Sequence, residues 1–158
     1  MEATAYHEAG HAFMATQQGA RVRSVTIDPD NDDGPERFGD TQVIGRQGRL
    51  SDRAFRERAI RVSLAGPVAE MLDTGDPYHP GLVAEWANDW QTAWELAEPL
   101  IPDHRRRLDD LEQTTGQLDP LRNAEPNWSA IASLADHLLA HETLEAEVVL
   151  DIVNEGLG

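Results

Sequence analysis

The stretch His7-Glu8-Ala9-Gly10-His11 limits what this chain can become more than any other. Residues four apart on an α-helix share a face one turn from each other, so a helix here aims two imidazoles at one point. Glu8 falls about 100° round from His7 and about 60° from His11, which puts its carboxylate at the flank of whatever the rings hold. Two histidines at this spacing suit a tetrahedral Zn²⁺. A flanking carboxylate suits a general base, because zinc lowers the pKa of a bound water from about 16 to about 7. Ala9 and Gly10 leave room for a close neighbour, and the helical pattern from Tyr6 to Gln18 stops at Gly19.

Composition narrows the setting. The 158 residues are enough for one domain, 1–158, with a real core, and too few for an ATPase motor as well. With no cysteine, any metal must be held by His, Asp and Glu. A net charge of -16 repels phosphate backbones and anionic lipid, so neither nucleic acid nor membrane is an expected partner. All 13 basic residues are Arg. Neither a membrane-length apolar run nor a signal sequence is visible, and a cytoplasmic location is expected.

Arg21 to Ile27 reads as a strand, with Arg23, Val25 and Ile27 on one side and Val22, Ser24 and Thr26 on the other. Asp28 to Asp40 is an acidic loop without the order of a calcium-binding hand, and Thr41 to Ile44 returns as a short strand. Ser51 caps a long amphipathic helix, Asp52 to about Asp73, whose buried side carries Phe55, Ala59, Ile60, Val62, Ser63 and Leu64. Pro67 cannot donate a backbone hydrogen bond, so a kink or break is expected at Gly66-Pro67. After a loop from Thr74 to Gly81 come four helices: Leu82 to Glu98, Asp103 to Thr115, Trp128 to Ala140, and Leu144 to Asn154 with Thr143 as its cap. The class is mostly α, an α+β arrangement with a small sheet beside the metal helix.

A catalytic zinc needs a third protein ligand. The metzincin pattern would place it six residues after His11, where Gln17 stands, and Met14 occupies that pattern's Gly position. Glu70, Glu85 and Asp89, all on later helices, remain candidates from the residues alone.

Four blocks resemble the peptidase domain of the FtsH-type, ATP-dependent zinc metalloproteases, in the family's order. They are Ala5 to Ala12 (AYHEAGHA), Leu64 to Glu70 (LAGPVAE), Asn88 to Ala97 (NDWQTAWELA) and Leu134 to Val148 (LADHLLAHETLEAEV). The resemblance implies a helical zinc-peptidase domain with His7, His11 and Asp89 as ligands and Glu8 as the base. Glu70 would then orient a ligand histidine from behind. Pro67 stands at the family's Arg, and Pro80-Gly81-Leu82-Val83 replaces its usual lead-in to the Asp helix. Neither the motor nor the membrane-anchored segment is expected.

Other residues invite functional readings. His137 and His141 are four apart but have no acid between them, and suit a helix C-terminus. Tyr78 and His79 could steady an oxyanion, while Trp86, Trp90 and Trp94 at helical spacing suit core or an oligomer contact. The reading is a zinc-dependent endopeptidase for short or unfolded chains, helped by a separate ATPase where substrates are folded. Extended substrate would add to the sheet edge at Val22 to Ile27. The alternatives are a catalytically silent zinc-containing binding module and a hydrolase of non-peptide amides. Oligomeric state is left open.

Overall fold

Gly19 adopts φ +81, the left-handed conformation that a side chain resists. Its N–H bonds back to the Thr16 carbonyl at 3.1 Å, and the N–H of Ala20 reaches Ala15 at 2.9 Å. This paired arrangement ends the first helix and turns the chain into a strand. In this computed structural model, which describes residues 2–27, 41–44, 52–75, 86–118 and 125–157, the elements follow in this order: α1 Glu2–Gln17, β1 Arg21–Thr26, β2 Thr41–Ile44, α2 Asp52–Thr74, α3 Ala87–Ala97, α4 His104–Gln117, α5 Glu125–His141, β3 Thr143–Glu145 and α6 Ala146–Leu157. The chain is therefore mostly helical with a small antiparallel sheet. No helix among the described residues is long and apolar enough to cross a membrane.

α1 is the central element. Every residue from His7 to Ala15 is buried, so this stretch of the helix has no wet face and little amphipathic pattern. Its small residues Ala5, Ala9, Ala12 and Ala15 have no exposed surface, and with Phe13 they join α2, α5, α6 and β1 in one apolar core.

α2 corrects the expected break. It runs without interruption through Pro67. The proline withholds a donor from the Ser63 carbonyl, one turn earlier, but packing on both sides keeps the helix in one piece. Ala59, Ile60 and Val62 to Ala69 are all buried, which is the tertiary override of a local signal.

The sheet departs from expectation twice. Its order is β2-β1-β3, so the strand expected at an edge is central, and both its sides are already paired. Strand addition along Val22 to Ile27 is therefore excluded. A register shift between Val22 and Ser24 also breaks the simple alternation. Arg23 is exposed, whereas Val22, Val25, Thr26 and Ile27 are buried.

β3 is the second departure. Thr143 to Glu145 pair with Thr26 to Ser24 of β1, so the last helix starts at Ala146 and Thr143 is a strand residue, not its cap. Glu142, at φ 64, makes the turn from α5 into β3. Its N–H bonds to Leu138 at 2.7 Å, and its carbonyl accepts from the Ile27 N–H at 2.9 Å and the Thr26 hydroxyl at 3.1 Å. The chain thus returns to the sheet through a left-handed non-glycine residue.

Candidate metal centre

α1 and α2 cross at a pair of glycines. A Cβ on Gly10 would lie 2.5 Å from the Ala65 carbonyl oxygen and 2.7 Å from the Ala69 Cβ. One on Gly66 would collide with the His11 ring. Close approach here presses that ring against the α2 backbone, where its Nδ1–H donates to the Val62 carbonyl at 2.6 Å. A carbonyl can only accept, so Nδ1 carries the proton and Nε2 faces the other way. His11 is completely buried, and Nε2 makes no hydrogen bond among the described residues.

His7 is held in the same manner by a different group. Its Nδ1 lies 3.2 Å from Oε1 of Glu70 on α2. Its Nε2 lies 2.7 Å from Oδ2 of Asp89 on α3, and the same oxygen is 3.4 Å from Nε2 of His11. The two rings stand nearly perpendicular, with centroids 4.8 Å apart. One atom each from His7, His11 and Asp89 lie within 4.8 Å of one another, and all three residues are buried. Around a tetrahedral ion with bonds of about 2.0–2.1 Å, ligand atoms sit about 3.3 Å apart. The His11–Asp89 spacing of 3.4 Å matches that value, and the hydrogen-bonded His7–Asp89 spacing of 2.7 Å is about 0.6 Å shorter.

The site is strongly coupled. Burial disfavours a charged His7, but hydrogen bonds to Asp89 and Glu70 outweigh it and raise the pKa to about 10. Burial of His11 is likewise outweighed by Asp89, and its pKa is also raised. Burial would raise the Asp89 carboxyl, yet the two imidazoles hold it well below the ordinary carboxylate range. Glu8, buried with 4% exposure, adds its charge to both rings. Two imidazoles, a carboxylate and a flanking Glu therefore share one buried volume, and this group could hold a divalent metal ion.

His7, His11 and Asp89 thus lie together with Glu8 close enough to act on both rings, and Glu70 contacts the nitrogen of His7 opposite Asp89. Asp89 shares its buried face of α3 with Ala93 and Ala97. The Val62 carbonyl was not foreseen. Its signal is indirect: Gly66, one turn after Val62, lets the His11 ring lie against the α2 backbone, where a carbonyl oxygen can serve a side chain. Glu85, Tyr78, His79 and the Asp28 to Asp40 loop lie outside the described residues. His137 turns Nδ1 to the Ser133 carbonyl at 2.8 Å, and among the described residues only His7, His11 and Asp89 form a group suited to a metal. Trp94 packs its ring edge against His104 and carries the Arg107 guanidinium 4.6 Å above it, a structural role. No family model and no curated protein matches this chain.

Proposed function

We propose that this protein is a zinc-dependent endopeptidase acting on short or unfolded peptide chains. The observation that supports it is the meeting of His7, His11 and Asp89 with the Glu8 carboxylate beside them. Two imidazoles and one carboxylate are the donor set of many catalytic zinc sites, and three protein ligands leave a fourth position for water or substrate. Zinc bound there would acidify a water and polarise a carbonyl. Glu8 takes the proton from the attacking water and returns it to the departing amine nitrogen. Glu70 and the Val62 carbonyl fix the rings so that each presents Nε2.

The four blocks similar to FtsH-type peptidases support the same reaction and the same roles. On this reading a separate ATPase would supply any unfolding. A structural zinc site has no use for a carboxylate in Glu8's place, which favours the enzyme over a silent binding module. The test is Glu8→Gln. Zinc-loaded wild-type protein should cleave an unfolded protein such as casein, and the variant should retain zinc while losing cleavage. Failure of the wild type to cleave any of a broad peptide panel would overturn the reading.

A further inference from the structure

A cavity of about 220 Å³ opens between α2 and α4, with Arg61 on the α2 wall and Asp110 on the α4 wall. Its floor is apolar, made by Ile60, Ala97 and Leu100, of which the first two are buried. Ala97 is the last residue of α3, about two turns from Asp89, and the cavity shares no residue with the metal centre. The charges on its walls differ in how they are balanced. Arg53, also on the α2 wall, is paired with Glu57 at 3.1 Å. Arg61 is not so paired: its Nη1 donates to the neutral amide oxygen of Gln18 at 3.1 Å, and no carboxylate neutralises it among the described residues. The Asp110 carboxylate likewise has no ion pair among the described residues. One cation and one carboxylate thus stand on opposite walls, beyond ion-pair reach of each other, above an apolar floor.

We propose that this cavity binds a free amino acid with an aliphatic side chain. The ligand carboxylate pairs with the Arg61 guanidinium, its ammonium with the Asp110 carboxylate, and its side chain covers Ile60, Ala97 and Leu100. Size limits the occupant. Sites for drug-sized ligands run to about 300–1,000 Å³, so a smaller cavity suits a single residue and not a folded-up peptide. Charge limits it further. An inorganic anion would use only Arg61, an amine only Asp110, and a hydrocarbon neither, whereas a zwitterion satisfies both walls at once. Inside a polypeptide the same two charges are lost to amide bonds, which sets the free amino acid apart from a chain. Binding here does not depend on the peptidase reading, because none of these residues is a candidate metal ligand.

The test is a two-dimensional amide NMR titration of the zinc-loaded protein with leucine. Leucine should move the signals of Ala97, Leu100 and Ile101 and of the flanking turns of α2 and α4, while signals around His7 report any leucine that reaches the metal instead. N-acetylleucine lacks the ammonium, leucinamide the carboxylate and glycine the side chain, and each should bind at least about 10-fold more weakly. Arg61→Gln and Asp110→Asn, both at exposed positions, should each weaken leucine binding by a similar factor. Shifts confined to the surroundings of His7, or no shift at tens of millimolar leucine, would overturn the inference. So would equal binding of leucine and its three analogues to the wild type, the mark of an unselective crevice, and that comparison needs no variant to fold. Cleavage plays no part in the readout, so the peptidase reading stands or falls separately.

Discussion

Glu70 holds its Oε1 3.2 Å from Nδ1 of His7, while the other nitrogen of that ring faces Asp89 at 2.7 Å. One imidazole is thereby oriented from two sides by two helices. Removing the outer carboxylate frees the ring to rotate and weakens its basicity, the usual contribution of a group behind a metal ligand. Glu70→Ala should lower zinc affinity by about 10–100-fold with little loss of helix content. Competition with a chelator measures it, and an unchanged affinity would remove Glu70 from the site.

Proton release follows from the same geometry. In the metal-free protein the His7 pKa is raised to about 10 by Asp89 and Glu70, so that ring is protonated at neutral pH, and the His11 pKa is raised as well. A metal must displace the His7 proton, and its apparent affinity should therefore rise with pH up to the alkaline range. Calorimetry at pH 7 in buffers of differing ionisation enthalpy should show at least one proton released per ion bound. A pH-independent affinity between pH 6 and 8 would contradict it.

Stability of the metal-free protein should follow the opposite course at high pH. The His7 pKa rises from 6.5 in the free side chain to about 10, so its stabilising share is complete below the lower value and lost as pH climbs through the upper one. Asp89 is lowered instead, so its share is present above the ordinary carboxylate range and lost as pH falls through the depressed value. Together they place the widest stability of the metal-free form in the mildly acidic range, between about pH 4 and pH 6.5. Urea unfolding at a series of pH values, with chelator present, tests the window.

Gly66 is required by contact, since its neighbour is the His11 ring. Gly66→Ala should push the imidazole away from the Val62 carbonyl, costing about 1–3 kcal/mol of stability from overpacking and a large part of metal affinity. Thermal unfolding with and without zinc separates the two effects. A variant with both properties unaltered would show that α2 can shift away.

Glu142 gives a prediction of opposite sign. A side chain at φ 64 is strained, and glycine adopts that conformation freely. Glu142→Gly should stabilise the protein by about 0.5–1 kcal/mol, part of the relief being offset by the looser unfolded chain. A fall in the denaturation midpoint would mean that the Glu side chain supplies more than the strain removes.

The sequence made the histidine pair legible because its spacing is a local property of one helix. The end of α1 at Gly19 was equally local. Asp89 lies 82 residues from His7, and three acids on later helices were compatible with the local pattern. Only the family resemblance singled Asp89 out. Pro67 misled because intrinsic breakers are judged one residue at a time, while here a fully buried run outweighs the lost hydrogen bond. β3 was missed for a related reason: Thr143 to Glu145 is three residues long, and its pairing partner lies more than a hundred residues upstream. Arg23 escaped the expected face because a bulge shifts the phase of alternation, and no single-strand pattern reports a bulge.

The three residues that could hold a metal belong to α1 and α3, two helices that both pack on α2 and are joined by a long stretch of chain. An ion gripped by His7, His11 and Asp89 would tie that stretch into a closed loop, as a disulfide does, but with a knot that a chelator can undo. Chelation would thus do more than silence chemistry. It would slacken α3 against the rest of the molecule, making resistance to unfolding a gauge of whether the centre is loaded.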